Sequence, residues 1–250
     1  MEPAQGGFEF GGILPTMSNS DLDLRPVAVL DDEARGDFVV RVYQHLMAAI
    51  LVFVGIEAIF LNTPIAEGIY DFVAGSGATW LLVLGGFMVG QWIVANAAAD
   101  LLNPSRQYAA LFGSAALYAV LFAPMLHYVF RSPGNGGTTV AAAALITAVA
   151  FAGLTVVGFI TRKDLSFLRP IVMYGFVVAL VIIIAAVVFG LSLGVWFSIA
   201  MIALSGVAIL YQTQTIIRKY PAEAHVAGAL GLFSSVMTMF WYVLSLVSRR

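Results

Sequence analysis

Ile171 to Phe189 reads IVMYGFVVALVIIIAAVVF, and this stretch decides the fold. It is apolar on every face, with none of the period-two alternation that marks the segments, about ten residues long, of a membrane β-barrel. A bilayer core of about 30 Å, crossed at about 1.5 Å per residue, needs roughly 20 apolar residues. Lipid offers no partner to backbone N–H and C=O groups, so such a run crosses it as a helix bonded within itself.

Working outward, the same reading recurs. Apolar runs predict spans over Val39 to Leu61, Thr79 to Leu101, Gln107 to Phe130, Thr139 to Thr161, Pro170 to Phe189, Val195 to Ile217 and Glu223 to Val247. Asn62-Thr63-Pro64 ends the first span and Asn103-Pro104 follows the second. Pro124 marks a kink in the third, RSPGNGGT (Arg131 to Thr138) is the plainest loop, and Pro170 opens the fifth. The fold class is thus an all-α membrane protein, a bundle of seven transmembrane helices over residues 38–250.

Composition agrees. Hydrophobic residues make up 61% and charged residues 10%, and mean hydropathy is +0.95, well outside the usage of soluble domains. Cysteine is absent, which excludes disulfides, thiolate metal sites and thiol chemistry. Residues 1–37 hold eight acids and two bases, a charge of -6 against -2 for the whole chain. With Gly6, Gly7, Gly11, Gly12, Pro15 and Pro26, this stretch predicts an acidic flexible arm, read first as a solvated tail, with docking to a protein partner through Phe8, Phe10, Ile13 and Leu14 as the alternative. Its acids and glycines do not read as a cleavable signal peptide, so the first span is expected to direct insertion.

Basic residues near span ends favour the cytoplasmic side. Seven crossings put Arg25, Arg35, Arg41, Arg106, Arg162, Lys163, Arg169, Arg218 and Lys219 on one side, against Arg131, Arg249 and Arg250 on the other. The N-terminus is therefore expected inside and the C-terminus outside. Small residues at Gly85-Gly86 with Gly90, Ala97 to Ala99, Gly113 to Ala116, and Gly228 with Gly231 allow close helix approach.

An ionisable group at membrane depth is costly without a partner, so each is a functional candidate. Glu57 in the first span is the foremost protonatable group, with hydration near the outer interface or a hydrogen bond to Asn62 as the alternative. His45 and His127 are read as interfacial, and Asp100 lies at the inner end of the second span. Candidate buried polar or gating groups are Glu57, Asn96, Gln212, Gln214, Ser235 and Thr238, with Gln91, Tyr211, Thr213 and Ser234 as further hydrogen-bonding groups. Gln212 and Gln214 lie about 200° apart on a helix, so they face different ways, and Gln212 is assigned to the bundle interior.

Walker A, dinucleotide, HExxH and Ser/His/Asp patterns are missing from the chain, as is a clustered basic face for nucleic acid. No enzyme activity, catalytic residue, cofactor, metal or nucleic-acid partner is expected.

FAGLTVVGFITRKDLSFL (Phe151 to Leu168) resembles the Bax inhibitor-1 family segment in which a small-residue helix ends in a Thr-Lys/Arg-Lys-Asp-Phe-Ser pattern. FVVRVYQHL (Phe38 to Leu46), APMLHYV (Ala123 to Val129) and ILYQTQTIIRKY (Ile209 to Tyr220) resemble, in order, that family's first-helix start, third-helix ending and sixth-helix Leu-Tyr-Asp-Thr-Gln pattern. Ala229 to Leu244 resembles the frame of its last helix. The resemblance covers Phe38 to Val247. It implies six helices around a central seventh, with the bacterial YccA-like branch associated with the membrane protease FtsH and other members with a proton-sensitive calcium leak.

In those leak-forming members the resemblance places a buried aspartate pair at positions matching Gln212 and Ser235. Paired carboxylates titrate as a coupled switch. An amide and a hydroxyl do not, and they offer calcium no charge. The leading expectation is a regulator or accessory subunit of a membrane complex, such as a membrane protease, in a bacterial inner membrane. The alternative is an ion (calcium or proton) leak channel or transporter using Glu57 and amide groups.

Overall fold

The computed structural model of this protein describes residues 26–249. Eight α-helices follow in order: α1 (Asp32–Leu61), α2 (Ile65–Ala74), α3 (Gly77–Ala98), α4 (Pro104–Arg131), α5 (Gly136–Ile160), α6 (Leu168–Phe189), α7 (Val195–Lys219) and α8 (His225–Val247). All but α2 are long and apolar enough to cross a membrane. At ten residues, α2 extends only about 15 Å.

Local chemistry explains where these helices begin. The Asp31 side chain accepts a hydrogen bond from the Ala34 N–H at 2.7 Å, and Asp32 and Glu33 occupy the first turn. Carboxylates there satisfy orphan donors and complement the helix dipole. The first helix therefore starts seven residues before Val39. Ser76 and Thr79 form a reciprocal capping box that starts α3 at Gly77. The Asn135 side chain accepts from the Thr138 N–H, drawing Gly136 to Thr138 out of the expected loop and into α5. Pro170 sits in the first turn of α6 rather than at its first position, because turns at Leu165 and Ser166 wind the helix from Leu168. Gly190 stops α6 in the left-handed region at φ +65°, where glycine carries no Cβ penalty. The last span opens with a 3₁₀ turn, Ala222–Ala224.

The structure also departs from the sequence expectation at the N-terminal arm and in the loop after α1. The arm expected over residues 1–37 is folded from residue 26 onward. The Val27 N–H donates to the Tyr220 carbonyl at 2.8 Å, and Val27 is buried against the bundle. Residues 1–25, with the proposed docking side chains, lie outside the described part. The short α2 was also not foreseen, because ten residues between Pro64 and Ser76 fall below the length of a span.

The last helix is central, packing against α1, α3, α4, α5 and α7. It shares that position with α4, since 56% of the apolar window is buried in each, against 6% in α3 and 11% in α6. Phe122 of α4 stacks on Phe240 and meets Trp241 edge-on, while Tyr118 meets Phe233 edge-on. Aromatic pairs of this kind add about 0.5–1.5 kcal/mol each beyond burial. A cavity of about 320 Å³ lies between α6 and α8.

Glycines mark the closest approaches. A Cβ at Gly90 would sit 2.7 Å from a Leu117 methyl, and one at Gly231 would sit 2.8 Å from the Gln212 side-chain oxygen. Gly85 and Gly86, by contrast, face outward with open space where a Cβ would go.

Candidate functional site

The polar groups form four separate sets at different places in the bundle. The first joins α7 to α8. Gln212 Nε2 donates to Ser235 Oγ at 3.0 Å, and the missing side chain at Gly231 admits the amide. Gln212 Oε1 is buried without a partner among the described residues, as is Thr213 Oγ1. Thr238 does not join this bond. Its hydroxyl donates to the Ser234 carbonyl of its own helix at 2.8 Å, where Tyr118 Oη also donates at 3.2 Å. Threonine in a helix readily bonds the carbonyl four residues back, and that competes with bridging to a neighbour.

The second set is built by Gln214, the more deeply buried of the two glutamines. Its Nε2 donates to the carbonyls of Thr161 and Lys163 at 2.9 and 3.0 Å, and its Oε1 accepts from the Leu165 N–H at 3.0 Å. Arg218 donates to the Thr161 and Arg162 carbonyls, and Lys219 donates to Ser166 Oγ at 2.8 Å. The end of α7 thus secures the charged turn between α5 and α6. Within that turn, hydrogen bonds from the Ser166 hydroxyl and backbone N–H hold the Asp164 carboxyl below its usual range, with Lys219 and Arg218 adding to the effect. Both glutamines therefore bond inward, on different faces, and assigning the interior to Gln212 alone is corrected.

The third set joins α3 to α4 through Gln91 and Ser114, which exchange two hydrogen bonds of 3.1 Å. Asn96 is not part of the bundle interior. It faces outward and donates to the Trp92 carbonyl of its own helix. At the same end, Asp100 pairs with Arg106 at 2.8 Å. His45 contacts the Arg41 carbonyl and Tyr108 Oη, and its ring lies 4.9 Å from that of His225. The sequence reading did not single out His225, and 180 residues of separation leave no spacing signal that could have found it.

The fourth set is Glu57. It is 4% exposed, and neither carboxyl oxygen has a hydrogen-bond partner among the described residues. Asn62 donates instead to the Ala58 carbonyl, so the expected alternative of a Glu57–Asn62 bond does not form. Glu57 lines a groove of about 600 Å³ between α1, α4, α5 and α8. Next to it, at the loop end, lies a smaller cavity of about 310 Å³ lined by Asn62, Thr63, Glu67, His127 and Arg131. The described residues contain no cluster of three or more His, Cys, Asp or Glu able to hold a metal. Chemically, the α7–α8 bond can hold two helices in register but has no proton to exchange near neutral pH, whereas Glu57 can bind a cation or a proton.

Residues 35–250 match the family described as inhibitor of apoptosis-promoting Bax1. Among individual proteins, the chain is similar to an uncharacterized protein of Campylobacter jejuni, 34% identical over 145 residues, 55% of this chain and 59% of the relative. It is also similar to an uncharacterized protein of Pseudomonas aeruginosa, 32% identical over 118 residues, 47% and 52% of the two chains. An uncharacterized membrane protein of Vibrio cholerae is 27% identical over 131 residues, 50% and 55%. The chain spans about half the length of the curated relatives it matches.

Proposed function

The chain belongs to the Bax inhibitor-1 family of multi-pass membrane proteins, and from that premise we propose that it is a non-catalytic regulator or accessory subunit of a larger membrane complex. The observation that carries this reading is the Gln212–Ser235 bond. It occupies the place where the resemblance implies the proton-sharing aspartates of a calcium leak, and it joins the helices with uncharged groups. Interhelical bonds of this kind contribute about 0.6–2 kcal/mol and carry no titrating switch. What remains is a stable scaffold.

An outward surface for a partner supports the same reading. Among the described residues nothing lies within 4 Å of where a Cβ at Gly85 or Gly86 of α3 would stand, and such a small-residue face lets another helix approach closely. A membrane protease of the FtsH kind in a bacterial inner membrane is a fitting partner. The N-terminus is placed inside, where the basic residues gather.

Affinity purification of the tagged chain in mild detergent tests this. A stoichiometric membrane partner is expected, lost on Gly85→Leu with the melting temperature unchanged. A chain that purifies alone overturns the proposal. A second reading, an ion leak, rests on the Glu57 carboxyl, which has no partner among the described residues, and requires that Glu57→Gln abolish flux in proteoliposomes.

A further inference from the structure

The scaffold role leaves the Glu57 groove unused. Phe53, Phe130, Phe151 and Phe240 supply much of its wall, and Glu57 is the one carboxylate among its lining residues. The other polar groups on the wall are Tyr43 and Thr147, and Thr147 is already committed to the Ala143 carbonyl. Outward-facing Met47 and Val54 on α1, and Ala144 and Ala148 on α5, line it as well, so the groove opens toward lipid. At its loop end it shares Ala58, Leu61 and Phe130 with the polar cavity that contains Glu67, His127 and Arg131.

We propose that this groove binds a lipophilic primary amine from the membrane, with the alkyl chain among the phenylalanines and the ammonium donating to Glu57. Three features select that chemistry. A carboxyl buried with neither oxygen partnered among the described residues is costly to ionise alone, and an ammonium supplies three N–H donors together with the charge that stabilises the ionised form. Aromatic walls favour a cation further.

The third feature is depth. Glu57 lies four residues before the end of α1 at Leu61, about 6 Å below it. A cation at that level must sit directly on its chain. In an amine-bearing phospholipid, phosphate and glycerol intervene, and the ammonium would stand above the groove. Both Glu57 oxygens are closed to water-sized contact, so capture turns the side chain to another rotamer. The polar cavity gives the head group its route from the interface.

The test titrates dodecylamine into the full-length protein in phosphatidylcholine nanodiscs, following the melting temperature by intrinsic fluorescence. A saturable upward shift is expected for the wild type. Apparent affinity should fall by about tenfold or more in Glu57→Gln, and dodecyltrimethylammonium, which has the charge but no N–H, should bind weaker by a similar factor. Ala144→Phe fills the groove and leaves the carboxyl in place, so it should abolish the shift. It decides the matter by itself if Glu57→Gln does not fold. Equal responses from the wild type and Ala144→Phe mean bilayer partitioning only and overturn the proposal. Displacement of dodecylamine by phosphatidylethanolamine in the nanodisc overturns the depth argument.

Discussion

Gly231→Ala probes the α7–α8 contact most directly, and the geometry fixes both its sign and its context. On an isolated helix the change stabilises by about 0.5–1 kcal/mol, because alanine restricts the unfolded backbone. Here the new Cβ would lie 2.8 Å from Gln212 Oε1 and 3.3 Å from Cδ. Something must shift, and the flexible amide is what moves. Overpacking of this kind costs typically 1–3 kcal/mol. Moving the amide also loses its bond to Ser235, about 0.6–2 kcal/mol. Net destabilisation of about 1–4 kcal/mol is expected in a background where glycine is otherwise unfavourable.

Removing the amide first reverses the sign. In Gln212→Ala the three nearest atoms to the new Cβ are gone, and Gly231→Ala should then be neutral or stabilising by up to about 1 kcal/mol. The coupling between the two sites should be about 1–5 kcal/mol. A double-mutant cycle measured by reversible unfolding in mixed detergent micelles reads it directly. Additive effects within about 0.5 kcal/mol would refute the claim that this glycine exists to admit Gln212.

Calcium flux into proteoliposomes should be flat between about pH 6 and 8, since an amide and a hydroxyl replace any carboxylate pair; a pH-dependent flux above empty vesicles would contradict this. Gln214→Ala removes three hydrogen bonds to the α5–α6 turn, so hydrogen exchange at Leu165 and trypsin cleavage at Arg162 and Lys163 should both accelerate, by about 10- to 100-fold for a loss of 1.4–2.8 kcal/mol. The Asp164 carboxyl is held low by Ser166. Its contribution to turn order is therefore fully present above the ordinary carboxylate value of about 3.9 and is lost only as pH falls through the lower folded value. Amide exchange at Ser166 should stay slow at neutral pH and rise in Asp164→Asn, and no change in that variant would exclude the turn as the cause.

Much of this protein is legible in one dimension because lipid makes length and hydropathy decisive. Ile171 to Phe189 must be a helix that crosses a bilayer wherever it sits, and the same holds for the other six spans. The family pattern around Arg162 to Ser166 is equally a property of the sequence. Boundaries were less legible, since Asp31 and Ser76 act through caps whose effect on length depends on local geometry. The short α2 lies between two spans and has no length requirement to reveal it.

The site depended on the third dimension. Asn96 and Gln91 are both amides five residues apart on α3, yet only Gln91 meets Ser114, because rotation about the helix axis sends one to the bundle and the other to lipid. Gln212 and Gln214 both bond inward because α7 has neighbours on two faces, α8 on one and the α5–α6 turn on the other. Sequence alone determined which groups could be costly in a membrane. Which of them found partners, and that Glu57 found none among the described residues, was decided by packing, since a hydrogen bond needs a donor within about 3 Å and only the assembled helices set that distance.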